Sequence, residues 1–138
     1  MDQEDLIGVV ELRYGIIRLI LSGPGELSFS QAKQLVETRR EFCKGIERPM
    51  LIDITAFSGT INDKAAKHFR SRVATRNITL QAIVLRHPVE REQVRLALSL
   101  VPIAISASLF ETRFEAERWL ATHVQGPIDD SNGVRDAG

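Results

Sequence analysis

The chain has 138 residues, 43% hydrophobic and 26% charged, and its 18 basic and 18 acidic side chains cancel to zero. That length suits one domain with one core, and the charged fraction excludes wholesale disorder. The neutral sum argues against a nucleic-acid binder, which carries a basic excess.

The first apolar segment, 6–12, and the second, 16–21, are separated by Arg13-Tyr14-Gly15, which predicts a β-hairpin. Only Arg18 interrupts the second run, so that strand is expected to be covered on both faces. Gly23-Pro24-Gly25 ends it. Ser28 and Gln31 have capping-box spacing and open a helix, along which Ala32, Leu35, Val36, Phe42, Cys43 and Ile46 fall on one face, with Gly45 as the stop and Ile46 left at the exit. Arg39 falls inside that stripe. It reads as an arginine snorkelling past the core edge, the alternative being a buried guanidinium that faces a partner or ligand.

Met50–Ile54 is a short buried-strand signal, followed by a polar loop over 55–62. A second helix is predicted over 62–76, capped by Asn62 or by the Thr60/Asp63 spacing, with Ala66, Phe69 and Val73 inward. Residues 80–85 form the next strand. His87-Pro88 leads into a third helix that runs to about Val101, and Pro102 stops it. A strand lies within 103–110, and Thr112/Glu115 cap a last helix with Ala116, Trp119, Leu120 and Val124 inward. The order β-β-α-β-α-β-α-β-α implies an α/β fold with a mixed sheet of about five strands and four helices. Residues 1–125 are expected to form the single domain. Residues 126–138 show no periodicity and read as a flexible tail.

Most catalytic signatures are missing, so no enzyme activity and no cofactor are expected. Neither a dinucleotide fingerprint nor a P-loop is present, and His68, His87 and His123 lack metal-ligand spacing with Cys, Asp or Glu. Cys43, the single cysteine, lies on the inward stripe and reads as a structural thiol of a reducing, cytoplasmic setting. The acidic start Met1–Gly8 lacks the basic region of a signal peptide, and no apolar run reaches the roughly 18 residues of a membrane span. Asp53 runs toward the loop that follows its strand and is expected to brace it; acid–base chemistry would require His68 or His87 to converge on it.

Two surfaces stand out. Between Lys64 and Arg95 eight Lys/Arg face two Glu, a local excess of six. Lys64, Lys67 and Arg72 on the second helix are a candidate anion-docking face, otherwise simply a solvated one. On the third helix Val89, Val94, Leu96, Ala97, Leu98, Leu100 and Val101 spread too widely for a helix that covers one sheet face. The stripe is either buried between neighbours, or its margin around Leu96 and Leu100 meets another molecule.

With these segments assembled, the chain resembles the SpoIIAA-like family, relatives of the STAS anti-sigma-factor antagonists and, at fold level, of the lipid-binding CRAL-TRIO domains. The resemblance rests on PMLIDITAFSGTINDKAAKHFRS, LQAIVLRHPVEREQVRLALSL, PIAISASLF and ETRFEAERWLATH in that order. Phe110, Ala116, Trp119 and Leu120 match the closing helix pattern of the family. The resemblance implies a non-enzymatic regulatory or protein-interaction module. In the antagonists a serine within Asp-Ser-Ser-Gly at a helix start is phosphorylated by a partner kinase. Here Thr60-Ile61-Asn62-Asp63 takes that place, and Ser58 and Thr60 are the nearby candidate phosphoacceptors. The expected partner is an unidentified protein or a second copy of the chain, met through Phe57, Ile61 and Asp63 of the loop together with Leu96 and Leu100. The CRAL-TRIO relationship implies an alternative, a binder or sensor of a small apolar or lipid-like ligand. A closed apolar cavity lined by Leu96, Leu100 or Phe69 would favour it.

Overall fold

Two antiparallel strands, β1 (Gly8–Arg13) and β2 (Ile16–Gly23), are joined by the two-residue turn Tyr14-Gly15, in which both residues have positive φ (51° and 81°). Such a primed turn matches the twist of the strands it connects, which is why the short spacer makes a hairpin. The computed structural model describes residues 7–102, 104–123 and, by backbone alone, 133–137. After β2 come β3 (Glu26–Leu27), α1 (Phe29–Cys43), β4 (Arg48–Phe57), β5 (Thr60–Ile61), α2 (Asp63–Phe69), α3 (Arg72–Thr75), β6 (Ile78–Val84), α4 (Arg91–Leu98), β7 (Ala107–Phe110), α5 (Arg113–Ala121) and β8 (Gly133–Ala137).

The main sheet has the order β7-β6-β4-β2-β1-β8. β2, β4, β6 and β7 run parallel, and β1 is antiparallel to both of its neighbours. Strand alternation divides the core between two faces. Ile17, Leu19, Leu21, Met50, Ile52, Ile54 and Ile83 point to the face covered by α1, α2 and α4. Ile16, Leu51, Leu80, Ala82 and Val84 point to the other face, where Ala116 and Leu120 of α5 pack. Phe110 and Trp119 meet there with ring centroids 5.5 Å apart, so the closing pattern of the sequence is a packing device. Pro49 sits at a register shift between Arg48 and Met50, where a missing N–H is tolerated in an interior strand.

Several expectations are corrected. The second helix is broken into α2 and α3, because Ser71 is extended and its hydroxyl caps α3 by accepting from the Ala74 N–H. Ala65 and Phe69 are the buried residues of α2, and past the break the helical phase shifts, so Ala74 is buried while Val73 is exposed. The third helix ends at Leu98, and Ser99 Oγ donates to the Leu96 carbonyl. The tail expected to be flexible from residue 126 contains β8 at Gly133–Ala137, paired along β1; residues 124–132 lie outside the described residues. An edge strand is recruited by backbone groups, which need no apolar pattern in the added segment. Val124, expected to face inward, also lies outside them.

The loop after β4 is held from below. Ser58 N–H donates to Gly23 O, Thr60 N–H to Gly25 O and Asn62 N–H to Leu27 O, and β3 pairs in parallel with β5. A Cβ on Gly59 would lie 1.8 Å from the Gly25 carbonyl oxygen, a backbone atom that cannot swing aside. Gly59→Ala is therefore expected to lower stability by about 1–3 kcal/mol through backbone displacement, read as a fall in urea midpoint at unchanged m-value; an unchanged midpoint would contradict this packing.

Candidate functional site

The residues singled out in two separate stretches of sequence come together in one open groove of about 380 Å³. Phe57, Ser58, Gly59, Thr60, Ile61 and Asp63 form one wall, and Glu92, Gln93, Arg95, Leu96 and Ser99 form the other, with Ala66 of α2 between them. Phe57 is buried, Ile61 and Leu96 are half-buried, and Ser58 and Thr60 are exposed. Asn62, not Thr60, caps α2, since its side chain accepts from the Lys64 N–H. That leaves the Thr60 hydroxyl outside the cap. The rim carries both signs of charge, Asp63 and Glu92 against Arg95.

Leu100 does not belong to this surface. It is 1% exposed and part of the core, because the helix ends at Leu98 and the following turn rotates Leu100 inward. The exposed apolar residues of this segment are instead Val89 and Leu98. Leu100 and Phe69 line an internal cavity, but it has a volume of about 10 Å³, the space of a single water and far from the several hundred Å³ of a ligand pocket. A cavity of that size does not accommodate the small apolar ligand of the alternative reading, and Leu96 does not line it.

Arg39 lines the same cavity and is neither snorkelling nor facing a groove. It is 2% exposed, and Nη2 donates to the Ala74 carbonyl (2.8 Å) while Nη1 donates to the Arg76 carbonyl (3.0 Å) and to Cys43 Sγ (3.5 Å). No carboxylate among the described residues pairs with it. Burial pushes the guanidinium below its ordinary pKa, partly offset by Cys43, and burial pushes the Cys43 thiol up. The thiol is thus a protonated, buried group, as its place on the helix stripe implied.

Asp53, 3% exposed, braces the opposite face of the sheet. Its Oδ1 accepts from the Thr55 N–H (2.9 Å) and hydroxyl (2.7 Å), and its Oδ2 pairs with Arg113 at the start of α5. A second pair, Arg18 with Glu117, fixes the same helix, so Arg18 interrupts its apolar run to hold α5. His68 lies on the other side of the sheet, its ring edge-on to Phe29 at 5.6 Å, and His87 is exposed. The Asp53–histidine pairing that acid–base chemistry would need is not assembled. Among the described residues no group of three or more His, Cys, Asp or Glu could hold a metal, and no helix is long and apolar enough to cross a membrane.

The basic residues of α2 and α3 gather at a second groove, of about 420 Å³. Of the three cations singled out in the sequence, Lys67 and Arg72 line it and Lys64 does not, and Arg70 stands with them. The sequence signal for Arg70 was the charge run itself; the helix phase assumed for an unbroken helix hid it.

Parallel strands behind an antiparallel hairpin, four helices on one face and one on the other, define a SpoIIAA-like α/β fold. The chain is similar to a solved structure described as an uncharacterized protein from the DUF3478 family with a SpoIIAA-like fold, from Shewanella loihica PV-4. The TM-score is 0.56 at 22% identity, covering 87% of this chain and 98% of that one. The chain belongs to the family described as Domain of unknown function (DUF7793), whose model matches residues 10–124. No curated protein matches the sequence.

Two measurements check this geometry. Arg113→Ala leaves the buried Asp53 carboxylate with Thr55 alone and is expected to destabilise by about 1–3 kcal/mol. Asp53→Asn should cost less, because the half-exposed Arg113 returns to water; the reverse ranking in urea unfolding would contradict the bracing role. Burial first and Lys33 second hold His68 below the ordinary 6.5 of histidine. The folded pKa is the lower one, so the stability tied to His68 is present above the unfolded value and declines as pH falls through it. An NMR titration of the His68 ring should give a midpoint below 6.5, and one at or above it would contradict the packing on Phe29.

Proposed function

We propose that this protein is a non-enzymatic regulatory module of the cytoplasm that works by docking a protein partner in the groove between the Phe57–Asp63 loop and α4. The observation that carries this reading is the meeting of those two segments around a floor of Phe57, Ile61 and Leu96, with Asp63, Glu92 and Arg95 on the rim. A small apolar floor with charges of both signs at its edge suits selective docking of a partner's apolar side chain, the charges fixing its orientation. The loop wall is rigid, since backbone hydrogen bonds to Gly23, Gly25 and Leu27 hold it, so docking costs little ordering entropy.

Ser58 and Thr60 are the phosphoacceptors in this reading. Both are exposed and both line the groove. A phosphate on either adds nearly two negative charges beside Asp63 and Glu92, and this would expel an acidic partner segment from the rigid groove.

A photo-crosslinking residue placed at position 58 or 96 in the native host is expected to capture the same protein. A control at the exposed Phe114 of α5 should not capture it. Leu96→Asp should reduce capture about tenfold, the effect of one disrupted anchor. A crosslinked band of twice the chain mass would identify the partner as a second copy. Equal capture from all three positions, or none from 58 and 96, would overturn the docking groove. Failure to find phosphate on Ser58 or Thr60 in chain purified from its host would remove the switch and leave the docking reading standing.

A further inference from the structure

The second groove is built rather than incidental. Arg70 and Arg72 on one continuous helix would point about 200° apart. The break between α2 and α3 brings both onto the same groove, beside Lys67. That break is specified by local bonds: Ser71 Oγ donates to the His68 carbonyl (2.7 Å) and accepts from the Ala74 N–H (3.3 Å). It is then fixed from beneath by the buried Arg39, whose guanidinium holds the carbonyls of Ala74 and Arg76. A four-residue helix would not persist alone; here a fully buried cation is committed to holding it.

The chemistry of the groove has one sign. No Asp or Glu lines it, and among the described residues Lys67, Arg70 and Arg72 form no ion pair. Pro102 and Ala104 supply an apolar flank. Three cations lining one groove with no internal counter-charge lower the cost of bringing in a compact, multiply charged oxyanion. Two guanidiniums offer the paired donors that phosphate oxygens accept. The groove, at about 420 Å³, has the size of a small-molecule site. We propose that the groove of Lys67, Arg70 and Arg72 is a binding site for a soluble, phosphate-bearing small molecule, separate from the protein-docking groove beside α4.

The test is calorimetric titration of the full chain with inorganic pyrophosphate, with ionic strength held constant by sodium chloride. Saturable one-to-one binding is expected. Arg70→Ala and Arg72→Ala should each weaken it about tenfold, the loss of one charge-assisted contact. Lys64→Ala, on the same helix but outside the groove, should leave it unchanged, and so should Leu96→Asp in the other groove. Unaltered thermal unfolding of each variant without ligand shows that the side chain and not the fold was lost. No saturable binding would overturn the proposal. An equal loss in Lys64→Ala would do so as well, since that marks bulk charge attraction. Tighter binding of a poly-glutamate peptide than of pyrophosphate would reassign the groove to acidic protein segments. Binding to phosphatidylglycerol-containing vesicles without binding to pyrophosphate would reassign it to a membrane surface. Because Leu96→Asp is silent in this experiment, failure here leaves the docking groove unaffected, and failure of the docking groove leaves this site intact.

Discussion

A buried guanidinium with no carboxylate partner is the interaction on which this structure depends. Arg39 reaches from α1 across the edge of the core to the carbonyls of Ala74 and Arg76, the end of a helix too short to sustain itself. Desolvating a guanidinium costs several kcal/mol unless its donors are used. Here Nη1 and Nη2 donate to backbone oxygens at the negative end of α3, which offsets much of that cost and orients the helix at once, while the buried Nε finds no partner among the described residues. The orientation of α3 sets where Arg72 projects. Together with the extended Ser71 it also sets how α2 ends. One residue on the inner stripe of the first helix therefore determines the shape of a charged surface more than thirty residues further along the chain.

The two faces of the sheet are built on different principles. On one, α5 is attached by packing of Ala116, Leu120 and Trp119 and by the pairs Asp53–Arg113 and Arg18–Glu117, so its polar groups are consumed in structure. On the other, α2, α3 and α4 pack through small or few side chains, Ala65, Ala74 and Ala97, and leave two grooves between them. Ala66 and Lys67 are adjacent on α2 yet open onto different grooves. The first groove combines an apolar floor with mixed charge, and the second is cationic. A chain with zero net charge thus presents a local excess of positive charge at one end of one face, which favours selective contacts over general attraction to polyanions.

Much of this was legible from the amino acids. Tyr14-Gly15 between two β-rich runs fixed the hairpin, Ser28/Gln31 the start of α1, and Phe110 with Trp119 the closing contact of β7 and α5. The convergence of Phe57–Asp63 with Leu96 was legible as two separate surfaces, and only the sheet order brought them together. Other features left no local trace. Arg39 finds backbone carbonyls 35 and 37 residues away, and a carbonyl carries no sequence identity. The break at Ser71 lies in a stretch, Phe69 to Val73, without Gly or Pro, where a serine could equally have continued the helix. That one break misplaced Val73 and concealed Arg70. The end of α4 at Leu98, set by Ser99, likewise moved Leu100 from a surface margin into the core. β8 joins the sheet through its backbone, which periodicity cannot report.

Native-state hydrogen exchange on Arg39→Met, which keeps an apolar stem and removes the guanidinium, tests the central claim most directly. The Ala74 and Thr75 amides, bonded to Ser71, should lose protection by about 2 kcal/mol more than the β4 amides at Leu51–Ile54, the worth of a charge-assisted hydrogen bond. A uniform loss across the whole chain, or full retention of protection in α3, would contradict the account.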